Sequence, residues 1–138
     1  MPARSAASTT KPLDEKITIN LGYVDLGQID LLVQEGFYAN RTDLIRTAIR
    51  NQLAVHADVV KQAATRKTLV LGIQQFSAAE LRALQAAGQT LHIRVLGLAV
   101  IAPDVTPELA LATIASVVVL GALHAPPAVK AALAGRIG

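Results

Sequence analysis

Lys16-Ile-Thr-Ile-Asn-Leu21 alternates polar and apolar side chains without a break. Successive side chains of a strand point to opposite faces. The alternation therefore predicts a two-faced strand, with Ile17, Ile19 and Leu21 on one side and Lys16, Thr18 and Asn20 on the other. Gly22 ends it. A lone six-residue strand is not stable, because its backbone groups and its apolar face both need partners. No second strand is evident beside it in the chain. The same segment of another copy, related by a two-fold axis, supplies one and makes a two-stranded antiparallel ribbon. Such a ribbon fits the major groove of B-DNA. Lys16, Thr18 and Asn20, present twice, are donors and acceptors suited to base edges there.

Two helices follow. Val24, Leu26, Ile29, Leu32 and Val33 recur mostly at helical spacing and predict a helix over Val24–Gln34, closed by Gly36. Asn40 is a good N-cap for a second helix, and Asp43 places a carboxylate in the first turn, where it suits the helix dipole. Leu44, Ile45, Ala48, Ile49 and Leu53 make one apolar stripe, with Arg46 and Arg50 on another face. No Gly or Pro occurs between Asn40 and Leu71, so this helix is expected to run to about Thr65. Its first N–H groups, at Arg41 and Thr42, together with the dipole, suit a DNA phosphate. The plainer alternative is that Asn40 only caps the helix.

The sequence Lys16–Leu21, an amphipathic helix, Gly36-Phe-Tyr-Ala-Asn-Arg-Thr-Asp43 and Leu44-Ile-Arg-Thr-Ala-Ile-Arg-Asn-Gln-Leu53 resembles the ribbon-helix-helix family of Arc, MetJ and CopG-type regulators. The likeness covers about residues 14–56. It implies an intertwined homodimer with a core of Ile17, Ile19, Leu21, Leu44, Ile45 and Ile49. It also implies Lys16, Thr18 and Asn20 as base readers, and Asn40, Arg41 and Thr42 as the phosphate anchor. Gly22 stands where many members have proline, which bears on the turn and not on the DNA face. Nothing after about residue 60 matches the family motif.

The second half contains a repeat. Val-Leu-Gly occurs at 70–72, 95–97 and 119–121. Each triplet follows or ends a β-like run: Thr68–Leu71, Leu91–Leu96 and Val117–Leu120. Each is followed by a helix-start signal: Ser77-Ala-Ala-Glu80, Thr106-Pro107-Glu108 and Ala125-Pro126. Short helices are expected over Glu80–Ala87, Pro107–Ala115 and Pro126–Ala134. A strand and a short helix every ~24 residues resembles leucine-rich repeats in size and order, without their Asn ladder. A small α/β layer is the alternative.

The expected fold class is thus α+β: an N-terminal ribbon-helix-helix dimer unit, then a solenoid-like strand-helix region. The expected organisation is a disordered arm over 1–13, a DNA-binding and dimerisation domain over 14–66, and three repeats over 67–138 for oligomerisation or partner binding.

Composition removes other classes. The chain has no cysteine, so disulfides, thiolate metal sites and thiol nucleophiles are excluded, and a cytoplasmic location is expected. Net charge is only +3, with nine basic against seven acidic residues up to Lys67 and four against three beyond. Charge alone therefore does not announce nucleic acid. Leu109–Val129 lacks charges over the length of a membrane span, but His124, Pro126 and Pro127 interrupt its end, and the repeat accounts for the same residues. No membrane association is expected. His56, His92 and His124 have no ligand spacing and no phosphate loop occurs, so no metal, cofactor or catalytic residue is expected. The expected partners are double-stranded DNA and a second copy of the chain, through the ribbon and at higher order through 67–138. The function expected is a DNA-binding regulator, with repression its mode. Alternatives are an antitoxin or partition protein whose C-terminal half binds a protein, and a self-assembling structural protein built on the repeats.

Overall fold

A computed structural model describes residues 13–138; of the expected arm, residues 1–12 lie outside the described residues. The chain divides into two compact units, one ending at Asp58 and one spanning Val59–Gly138.

The first unit holds helices α1 (Tyr23–Gln34) and α2 (Arg41–Val55). α1 stops at Gly36, which takes φ +86°, a conformation costly for any side chain. The Gly36 N–H donates to the Val33 carbonyl (3.0 Å) and the Phe37 N–H to that of Leu32 (3.0 Å), which satisfies the carbonyls of the last turn. Neither helix has a fully buried residue. Lys16–Leu21 forms no hydrogen-bonded strand, since none of the described residues pairs with it. A ladder needs two strands, and one chain contributes only one.

The long second helix is corrected by the structure. It ends at Val55, and a separate helix, α3, runs over Ala57–Arg66. At His56 the backbone N–H donates to Leu53, three residues back, in place of the helical fourth. Gln52 Nε2 lies 3.2 Å from His56 Nε2 on the same turn. No glycine or proline marks this break, because a local slip of the hydrogen-bond ladder needs neither.

The second unit alternates strand and helix: β1 (Val70–Phe76), α4 (Ala78–Ala86), β2 (Leu91–Ile101), α5 (Pro107–Thr113), β3 (Ile114–His124) and α6 (Pro127–Leu133). The strands form one parallel sheet in the order β1-β2-β3. Ser77 and Thr106 cap α4 and α5, accepting from the N–H groups of Glu80 (3.1 Å) and Leu109 (3.2 Å). Pro126, expected as the first helical residue, is instead the N-cap of α6, which starts one place later at Pro127. α4, α5 and α6 contribute Ala78, Leu81, Leu109, Ala110, Val129 and Leu133 to a core shared with Ile93, Val95, Ala99, Ile101 and Val117. All three helices therefore cover one face of the sheet. Each large aliphatic side chain buried there contributes about 1.5–3 kcal/mol. After the short 3-10 turn Ala134–Arg136, Ile137 bridges Val117 in parallel and Arg136 Nη1 donates to the carbonyls of Leu111 (2.7 Å) and Ile114 (2.8 Å).

The strands do not end at the glycines, as the triplets suggested; they run past them. Gly72, Gly97 and Gly121 pair in register across the sheet, all at positive φ. A Cβ on Gly97 would fall well inside contact distance of the Gly72 carbonyl oxygen, and one on Gly121 inside that of Gly97. The triplets therefore mark a column of backbone close approach in mid-strand. A helix is likewise shorter than expected: α5 stops at Thr113 because β3 starts at once at Ile114. No helix among the described residues is long and apolar enough to cross a membrane.

Candidate nucleic-acid interface

Asn40 turns the chain into α2. Its Oδ1 accepts from the Asp43 N–H (2.8 Å), and Asp43 Oδ2 accepts in return from the Ala39 N–H (2.9 Å). This reciprocal pair occupies two of the donors at the helix start. The N–H groups of Arg41 and Thr42 have no acceptor among the described residues and stand exposed at the positive end of the dipole.

The Arg41 side chain is committed elsewhere. Its Nε and Nη2 grip both carboxylate oxygens of Asp30 on α1, at 2.7 and 2.8 Å. This bidentate fork ties the start of α2 to α1. Hydrogen bonding to Arg41 holds the Asp30 carboxyl below the ordinary aspartate value, and the carboxylate pushes the guanidinium pKa up. Sequence reasoning missed this pair. The eleven residues between its partners span a turn, and no periodicity links them.

Ile17 and Ile19 line an open groove with Thr42, Ile45 and Ile49 of α2. The segment that lacks a strand partner thus lays its apolar side toward the apolar stripe of the second helix. Coverage is incomplete: Ile17 remains 73% exposed and Ile19 58%. Leu21 and Ile49 are exposed as well, and Leu44 and Ile45 are half-buried. Thr18 and Asn20 are exposed and do not line that groove, whereas Lys16 sits at it with Asp14 and Glu15. Among the described residues nothing covers this apolar floor, and exposed polar positions of the same segment lie beside it.

A family model described as the Ribbon-Helix-Helix transcriptional regulator family matches residues 12–130. The chain belongs to this family. No curated protein and no solved structure matches it. Ribbon-helix-helix regulators bind DNA and usually dimerise. The match also corrects the expectation that likeness to the family ends near residue 60, since it runs through all three strands of the sheet.

Of the three histidines, His56 belongs to the first unit and His92 and His124 to the second. His56 breaks α2 from α3, His92 Nδ1 lies 2.7 Å from Ser116 Oγ on the neighbouring strand, and His124 ends β3. No three His, Asp or Glu side chains among the described residues are grouped to hold a metal.

Proposed function

We propose that the protein is a cytoplasmic, sequence-specific repressor of transcription that acts as a homodimer through a ribbon built from Lys16–Leu21 of two copies. The observation that carries this is the N-terminal unit itself: two helices without a buried residue and an apolar segment left largely in water. A second copy buries Ile17, Ile19 and Leu21 against Leu44, Ile45 and Ile49 of both chains. It also turns Lys16, Thr18 and Asn20 outward as a pair of base-reading sets. The phosphate is held by the N–H groups of Arg41 and Thr42 at the Asn40 cap, while the Arg41 guanidinium stays with Asp30.

Residues 67–138 are a solenoid-like run of three strand-helix units that serves self-association.

Operator binding by Asn20→Ala and Lys16→Ala tests this. Each lost base contact costs about 1–3 kcal/mol and each substitution removes two per dimer, so affinity falls by at least roughly 30-fold while light scattering still reports a dimer. Unchanged binding at physiological salt would remove the ribbon from the DNA interface.

A further inference from the structure

Parallel sheets are normally covered on both faces. Here α4, α5 and α6 cover one, and the other is open and apolar. Along each strand the residues alternate with the core set, so register places Leu71, Leu96 and Leu120 in one row of the open face. The next row is Ile73, Leu98 and Ala122. Leu71 is 75% exposed and Leu120 51%; Leu98, in the middle of the face and outside the helix-side core, is 7% exposed. Polar side chains border the apolar rows: Arg94, His92 and Ser116 at one end, Gln75 and His124 at the other. An apolar centre with a polar rim is the anatomy of an interface.

We infer that this face is covered by the same face of a second copy, the one already held by the ribbon. One observation selects that occupant and a second sets its orientation. The first is area. Three strands about 4.8 Å apart and four rows about 6.6 Å apart offer on the order of 600 Å² for two copies together. That is well below the roughly 1,200–2,000 Å² of a stable free-standing complex. A stranger or an untethered chain is held too weakly there, but a copy tethered by the ribbon meets the face at an effective concentration of about millimolar. The second is the rim. With strands antiparallel across the two-fold axis, the Leu71 row packs over the smaller Ile73–Ala122 row. Each Arg94 then lies about 20 Å from its counterpart, near the Gln75 and His124 end of the other copy, where amide and ring acceptors stand. The parallel alternative would set Arg94 on Arg94.

This inference rests on the ribbon dimer for its tether. The chain has no cysteine, so one introduced thiol reports on one surface. Full-length Leu96→Cys, beside the axis, and Gln85→Cys, exposed on α4, are treated at equal concentration with a short bis-maleimide that bridges thiols roughly 8–10 Å apart, the spacing across two packed sheets. Covalent dimers are expected about tenfold faster from Leu96→Cys, as effective concentration requires. The advantage vanishes when Leu71→Glu and Leu120→Glu are added, with the molecule still dimeric by light scattering. A dimer in which both thiols link at equal rates overturns the stacked sheets and leaves the ribbon standing. A tetramer that the glutamates split into dimers overturns pairing within one dimer. A monomeric full-length chain overturns the ribbon and the stack together.

Discussion

Single residues hold both units in shape, by different means. In the glycine column the sheet leaves no room for a Cβ at Gly97 or Gly121. Gly72 and Gly97 share a positive φ, but only Gly97 has a neighbouring backbone carbonyl where its Cβ would go. Gly72→Ala should therefore cost only the backbone strain, about 1–2 kcal/mol. Gly97→Ala and Gly121→Ala add a backbone collision and should cost more than about 3 kcal/mol, or prevent folding. Urea unfolding followed by circular dichroism gives the order; equal costs at all three would show that the column is incidental. Asp30 works through charge. Its carboxyl is held below the ordinary value, so its contribution is complete above the unfolded pKa of about 3.9 and is lost as pH falls through the lower folded value. Tyr23 and Tyr38, the two tyrosines of the chain, both lie in the N-terminal unit and report on it. The difference in their thermal midpoint between wild type and Asp30→Asn should be constant from pH 8 to 5 and shrink only below about 4. A difference that changed around pH 6 to 7 would point to a histidine instead.

Elements were legible in proportion to how local their signals are. Ser77, Thr106 and Asn40 sit next to the helices they cap, and all three caps accept from the N–H three residues on. The α+β class follows from those caps and from the β-like runs that carry the Val-Leu-Gly triplets. The strand ends did not follow, because a glycine in sequence reads as a stop, and only its register opposite two other glycines explains why the strand continues. The break at His56 and the Arg41–Asp30 fork were also hidden. Each depends on a partner selected by folding. At the α2 start, capping and anion binding share the same atoms, and two substitutions separate them. Asn40→Ala removes the cap and should cost about 1 kcal/mol of stability. Asn40→Asp keeps an accepting oxygen and so keeps stability, but sets a negative charge against the phosphate. It should weaken operator binding severalfold, by the magnitude of about 0.3–1 kcal/mol that a charge at a helix end carries. Asn40→Asp binding DNA as wild type does would leave this asparagine as a cap and nothing more.

At the scale of the molecule the two units differ in what one chain can complete. The C-terminal unit closes its own core, with Leu81, Ile93, Val95, Val117, Val129 and Leu133 at 1% exposure or less. Among the described residues the N-terminal unit buries nothing fully, and the proposed ribbon accounts for that with a core made by two chains. Half of that core was visible in the sequence as an apolar strand face without a partner. The other half is not in the sequence at all except as a second copy of the first. Folding of this unit is then coupled to association, and its stability must depend on concentration. For a unit that folds only as a dimer, a hundredfold rise in protein concentration adds about 2.7 kcal/mol. The tyrosine-monitored midpoint should therefore climb as the protein is concentrated from sub-micromolar to tens of micromolar. Ile19→Asp, which puts a charge into the shared core, should abolish the tyrosine transition at every concentration while the circular dichroism of the C-terminal sheet persists. A tyrosine midpoint independent of concentration in the wild type would mean that the first unit folds alone, and the exposed faces of Ile17 and Ile19 would need another explanation.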